Sequence, residues 1–478
     1  MNGKIFQSFL VLIVIAFITI AIGGGCANPI APSGGPRDTI PPVLTNSTPA
    51  DSTLNFTGKK IVFSFDEFVV IDNVHDNLVV SPVPKSEPVV ESKLKTVSVR
   101  IKDTLEPNTT YSYNFGSAIK DNNEGNVIKN FTYVFSTGKY IDSLELSGKV
   151  IIAQTGNSDS TLIVMLHRSG DDSALIKQKP RYIAKLDKQG NFHFRYLPPG
   201  VFYLFALKDE GGQKKYLTKR QYFGFADKPV TVGIHNASDT LYAYLEKDED
   251  KPTATTTSRT ATSKTDREKE KEKEKDKRLK FSLNLDNGQQ DLLDSLKFTF
   301  NDPLKKFDPS KVQFTDENFK PITNYSLIKD TSNKKLTLSY KWPENAAFNL
   351  IVDKEFAEDS SGRKIPRTDT LRFRTKKDAD YGNVSIRFNN IDLSKKPVLQ
   401  LVQADVVKYS AKLTTRDFRD PRFKPGEYDI RILYDANGNG VWDTGEFFGK
   451  HKQPEKVIAI TKKLSVKANW DNEIAVEL

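Results

Sequence analysis

Apolar and polar residues alternate in short runs along most of this chain, and a period of two is the mark of half-buried β-strands. Lys60-Ile61-Val62-Phe63-Ser64-Phe65, Thr96-Val97-Ser98-Val99-Arg100-Ile101 and Phe131-Thr132-Tyr133-Val134-Phe135 all follow it. Turn-forming segments separate them, among them Glu106-Pro107-Asn108 and Asp121-Asn122-Asn123-Glu124-Gly125. Many short strands spaced in this way predict a β-sandwich, here over residues 40–140. A second alternating unit follows over residues 141–247. In it Phe192 to Leu197 and Val201 to Leu207 flank the turn Pro198-Pro199-Gly200, where glycine can adopt a positive φ.

The alternation stops over residues 248–280. Thr253 to Thr265 is rich in Thr, Ser and Ala, and Arg267 to Lys280 largely alternates acidic and basic residues. Like charges then fall at i,i+4, which opposes a helix, while opposite charges at i,i+3 partly offset this. The segment reads as a solvated, disordered linker, with a short charged helix as the other reading.

Beyond the linker the order repeats. Phe298-Thr299-Phe300-Asn301-Asp302 echoes Phe63-Ser64-Phe65-Asp66-Glu67, and Leu371-Arg372-Phe373-Arg374-Thr375 echoes Tyr133-Val134-Phe135-Ser136-Thr137. The turn at Asp359-Ser360-Ser361-Gly362 stands as far from Phe373 as Asp121 stands from Phe135. Phe423 to Leu433 parallels Tyr196 to Leu207. The reading is an all-β chain of tandem β-sandwiches, A-B-linker-A′-B′, with A′ over 281–377 and B′ over 378–478.

Composition sharpens this picture. The 478 residues contain 30 Phe and 17 Tyr, ample for packed β cores, and a single cysteine, Cys26. No disulfide within the chain is possible, so each sandwich must be held by its own core. The net charge of +10 is spread along the chain. No zinc-finger spacing, arginine-rich arm or RNA-binding signature accompanies it, so a nucleic-acid partner is not expected. Weak attraction to anionic headgroups is compatible with it.

Residues 1–25 read as a signal peptide: Lys4 precedes an apolar run of fourteen residues from Phe9 to Ile22. That is a signal-peptide core and is short of the ~20 residues a membrane span needs. Gly23-Gly24-Gly25-Cys26 resembles a bacterial lipobox, with Gly23 where that box usually carries Leu. The resemblance implies that Cys26 is lipidated and becomes the mature N-terminus. Residues 26–39 are rich in Pro and Gly and form a tether.

The first unit resembles the bacterial Ig-like domain of S-layer-type proteins. The resemblance rests on Pro41-Pro42, Phe63 to Phe68, Leu105 to Tyr111, the Asp121 turn and the closing Phe135-Ser136-Thr137-Gly138. Cys26 to Pro42 resembles the start of a family of Bacteroidota lipoproteins carrying that domain. The B units are similar, more weakly, to prealbumin-like or carboxypeptidase-regulatory-like sandwiches. In that bacterial group acidic residues after the lipidated cysteine mark export to the surface. Ala27-Asn28-Pro29-Ile30 has none, which implies an outer-membrane lipoprotein facing the periplasm.

One loop carries candidate chemistry. Asp435 to Glu446 fits D-x-[DN]-x-[DN]-G-x5-E, a Ca²⁺-loop pattern. Its ligands would be Asp435, Asn437, Asn439, the Val441 carbonyl, Asp443 and Glu446, with Gly440 permitting the sharp turn. The other reading is an Asn/Gly-rich hairpin loop, which needs no metal. The five histidines are scattered and read as surface or turn residues. Asp66-Glu67 reads as a strand pair on opposite faces, poor geometry for shared acid–base work. Trp342, Trp442 and Trp470 read as packing residues, with sugar stacking as the alternative. The sequence thus points to a lipid-anchored, non-enzymatic envelope protein, a structural or interaction module whose partner is an envelope protein or a glycan. A carbohydrate-binding accessory lipoprotein is the alternative. An enzyme with an unrecognised site is the third reading.

Overall fold

The computed structural model describes residues 37–233, 239–247 and 278–478. The leader, Cys26, most of the tether, nearly all of the linker and His235 lie outside them. The described chain is a series of β-sandwiches and divides into two compact units. One holds the residues up to Glu145 with Arg181–Ile183 and Phe194–Pro199; the other holds Leu146–Pro180, Ala184–His193 and Gly200–Leu478.

In the first unit a four-stranded antiparallel sheet runs Leu44–Thr48, Lys60–Phe65, Thr96–Arg100, Val89–Lys93. A three-stranded sheet of Val79–Ser81, Thr110–Asn114 and Thr132–Ser136 accompanies it. The alternation has the expected consequence: Ile61, Phe63 and Phe65 are buried, whereas Lys60, Val62 and Ser64 are not. Phe63 meets Phe115, Phe131 and Tyr133 edge-on, with centroids 5.6, 5.1 and 5.1 Å away. Such edge-to-face pairs add to the apolar burial. Asp66 and Glu67 are not on a strand, as the alternation suggested; they form a bend after Phe65. There Asp66 Oδ1 accepts the Val43 N–H at 2.8 Å and thereby closes the strand end.

The second unit contains the A′ sandwich, over the same kind of core. Phe298, Phe300, Leu336 and Leu338 from one sheet face Phe314, Phe348, Leu350 and Phe373 from the other. Trp342 is part of this core: its Nε1 donates to the Asp294 carbonyl at 2.9 Å, and Phe314, Phe348 and Phe373 surround its ring.

A and A′ share a buried aspartate. In A, Val69–Ile71 pairs with Ile119–Asp121; in A′, Leu304–Phe307 pairs with Ala357–Asp359. Asp121 Oδ1 accepts the N–H groups of Asn123, Glu124 and Gly125, and its Oδ2 accepts that of Asn126. Burial opposes its charge, but these donors outweigh it and hold the carboxyl below the usual carboxylate range. Asp359 has the same place with different partners: the N–H groups of Ser361 and Arg363, and Arg363 Nε at 2.7 Å.

B′ and most of B, both in the second unit, share a less common connection. The first strand of each pairs in parallel with its last: Leu144–Ile152 with Asp239–Ala243, and Gly382–Asn389 with Asp471–Glu477. Opposite them Ile163–His167 pairs with Gly200–Leu207, and Pro397–Gln403 with Gly426–Tyr434. The structure corrects one histidine. His167, read as a surface or turn residue, ends a core strand, is 3% exposed and lies edge-on to Phe205. Burial lowers its pKa to about 4, because the apolar surroundings disfavour the charged ring.

Candidate functional site: a loop that seats one sandwich in another

Strands Gly426–Tyr434 and Lys456–Val466 are antiparallel neighbours, and the chain between them carries the Asp435–Glu446 motif. Asp435 is buried at its base. Its Oδ1 accepts the Gly438 and Asn439 N–H groups at 2.6 and 3.2 Å, and its Oδ2 accepts that of Gly440 at 2.6 Å. Gly440 turns with φ 83°, a left-handed conformation that costs glycine little. Asn437 and Asn439 donate their side-chain amides to Asp443 Oδ2 at 2.6 and 2.7 Å. The Asn437 hydrogen bond, foremost among several influences, lowers the pKa of Asp443.

The loop therefore brings Asp435, Asn437, Asn439 and Asp443 together. Glu446 does not join them: its carboxylate pairs with Lys450 Nζ at 2.8 Å. Val441 is exposed, and its N–H is donated to Asn439 Oδ1. The carboxylate that closes the loop is Glu455, which sequence reasoning missed. Its two oxygens accept the Ala436 and Asp443 N–H groups at 2.8 and 3.0 Å. Trp442 donates Nε1 to the Glu455 carbonyl and packs by Val398, Leu433 and Val457. Among the described residues no group of three or more His, Cys, Asp or Glu side chains is arranged to hold a metal ion. Four of the five anticipated side chains thus converge in the loop, where they are hydrogen-bonded to one another and to backbone N–H groups, and the fifth is turned to a lysine.

The loop continues into Phe447 and Phe448, and here the B′ sandwich enters the B sandwich. Phe447 is 3% exposed. Its ring lies 5.0 Å from Phe223, 5.0 Å from Phe225 and 6.0 Å from Phe205, and His451 stacks on it at 4.7 Å. Phe448 stacks on Tyr216 at 5.5 Å. Glu246 fastens the seat: its Oε1 accepts the Tyr216 hydroxyl at 3.0 Å and the Phe447 N–H at 3.2 Å. Lys219 Nζ lies 3.8 Å from its other oxygen.

Further contacts lengthen this clasp. Gln453 Nε2 donates to the Phe225 carbonyl and to Asp227, and His451 Nε2 lies 2.7 Å from Asp172 Oδ1. The Val457 N–H is donated to the Ala153 carbonyl at 2.9 Å. At Gly156 a Cβ would lie 2.4 Å from the Ala459 backbone nitrogen, so only glycine admits this approach. The one sequence signal for the clasp was the adjacent pair Phe447-Phe448 in an otherwise polar, glycine-rich loop.

The sandwiches and their aspartate-centred loops define a β-rich, multidomain class of protein. Residues 38–137 match the bacterial Ig-like domain family. No curated protein matches the chain. Among solved structures it is similar to the Bacillus anthracis TIE protein, at 10% identity and TM-score 0.16, covering 94% of this chain and 76% of that one. It is also similar to the N-terminal part of the bacterial S-layer protein SbsC, at 16% identity and TM-score 0.15, covering 43% of this chain and 45% of that one. A third is BcpA, the major pilin subunit of Bacillus cereus, at 9% identity and TM-score 0.17, covering 70% of this chain and 99% of that one.

Proposed function

We propose that this protein is a lipid-anchored envelope lipoprotein whose β-sandwiches serve as a structural spacer and interaction module without enzymatic activity. The observation that carries the spacer reading is the seating of Phe447 among Phe205, Phe223 and Phe225. A chain of sandwiches joined only by linkers would swivel, whereas an aromatic anchor resists separation. Burying one such ring is worth about 1.5–3 kcal/mol. The buried carboxylates Asp121, Asp359 and Asp435 are all occupied by backbone N–H groups, a framework role rather than a catalytic one. No helix among the described residues is long and apolar enough to cross a membrane.

Anchoring rests on the leader and Cys26, and the periplasm-facing orientation on Ala27-Asn28-Pro29-Ile30. Several acyl chains hold firmly where one alone binds reversibly. The test is fractionation: wild type sediments with membranes, and Cys26→Ser moves to the soluble fraction. A Cys26→Ser protein that stays with the membrane overturns the anchor. For the loop we propose a structural Ca²⁺, held by Asp435, Asn437, Asn439, Asp443 and the Val441 carbonyl. Glu446 would join that set only by leaving Lys450.

A further inference from the structure

Beside the clasp two depressions adjoin. The larger, about 760 Å³, is walled by Lys149 and Tyr242 from B and by Lys395, Tyr434, Asn437 and Lys452 from B′. The smaller, about 510 Å³, lies against Asp227, Lys228, Thr231 and Thr240. Tyr242, Gln453 and Lys456 line both. Together they make a trough suited to an extended ligand rather than a compact one.

Three features of the trough select that ligand. Two aromatic faces carry cations: Lys456 Nζ stands 4.2 Å from the Tyr242 centroid, and Lys395 Nζ 5.5 Å from that of Tyr434. In the larger depression Lys149, Lys395, Lys452 and Lys456 outnumber the carboxylates Asp443 and Glu455. Those two carboxylates already accept hydrogen bonds from Asn437, Asn439, and the Ala436 and Asp443 N–H groups. The remaining wall offers hydroxyls and amides, and Gln453 Oε1 is a buried acceptor without a hydrogen-bond partner, an arrangement that normally calls for a donor.

We propose that this trough binds an anionic polysaccharide. Acidic substituents meet Lys149, Lys452 and Lys456, the last held in place over the ring of Tyr242, and sugar hydroxyls meet Thr231 and Thr240. A few placed polar and charged groups that orient a ligand along a concave, partly aromatic wall are the usual construction of such sites. The inference goes beyond the spacer reading and does not depend on the lipid anchor.

The test uses the Cys26→Ser chain, titrated by biolayer interferometry with polygalacturonate, neutral dextran and poly-glutamate. Polygalacturonate binds, dextran and poly-glutamate do not, and raising NaCl to about 0.5 M weakens binding by screening. Lys149→Gln with Lys456→Gln weakens it roughly tenfold or more through lost charge-assisted contacts, while the melting temperature stays that of the parent. Tyr242→Ala loses binding that Tyr242→Phe retains. Three results overturn the proposal: no polygalacturonate binding, binding indifferent to these substitutions, or poly-glutamate binding equally and with the same sensitivity. The last would assign the trough to acidic peptides.

Discussion

The ring of Phe447 meets that of Phe223 edge-on, centroids 5.0 Å apart, although the two belong to different sandwiches of the chain. Removing the ring therefore tests the joint and not only a local core. Phe447→Ala is expected to destabilise the protein by about 3–5 kcal/mol, read as a lower urea midpoint. Trp470→Ala is the control: Trp470 is 63% exposed, and such a change is worth within about 0.5 kcal/mol. Equal effects from the two would remove the clasp.

His167 makes stability depend on mild acid. Its folded-state pKa is lowered to about 4, below the ~6.5 of an unfolded histidine. The unfolded chain therefore binds the proton first. The contribution is fully present above pH ~6.5 and is lost as pH falls through the folded value. His167→Phe should flatten this part of a pH series of denaturation midpoints. An unchanged slope between pH 6.5 and 4 would count against it.

Asp121 and Asp359 titrate in the acid limb. Both carboxyls are held below the usual carboxylate range: burial raises them, and hydrogen bonds from the N–H groups around Asp121, and from the Arg363 N–H and guanidinium at Asp359, outweigh it. Their stabilisation is present above the unfolded carboxylate pKa and is lost as pH falls through the lowered folded value. Asp121→Asn is expected to lower the urea midpoint at pH 7 and to lose less on further acidification. Amide exchange should rise first at Asn123 to Asn126, whose N–H groups it releases. Protection unchanged there would show that the carboxylate does not hold the loop.

For the Asp435–Glu446 loop, Ca²⁺ is expected to raise the melting temperature of the wild type, and EDTA to reverse the gain. Asp435→Ala should abolish the response. Glu446→Gln should leave most of it, because Glu446 is paired with Lys450. A wild type indifferent to Ca²⁺ would leave the loop as a hydrogen-bonded hairpin connection.

Much of this molecule was legible from spacing alone. Ile61, Phe63 and Phe65 declare an inward face because a strand turns alternate side chains to the same side. The equal distance from Asp121 to Phe135 and from Asp359 to Phe373 revealed a repeated turn, and the structure gives both aspartates the same place beside a short antiparallel pair. The Asp435–Glu446 loop was half legible. Asp435, Asn437, Asn439 and Asp443 converge because hydrogen bonds within a few residues bend the loop on itself, whereas Glu446 follows Lys450 and Glu455 takes the closing position.

By itself, then, the sequence determined the local rhythm: strands, turns, the order A-B-A′-B′, and the leader pattern that ends at Cys26. Tertiary structure decided what the rhythm does not encode. It buried His167, took Trp342 into the A′ core while leaving Trp470 exposed, and seated Phe447 against Phe223. The reason is physical. Strand periodicity depends on the backbone geometry of neighbouring residues, whereas packing depends on which surfaces fit across long separations in the chain. No spacing rule records that Gly156 leaves room for Ala459 or that Glu246 waits for the N–H of Phe447.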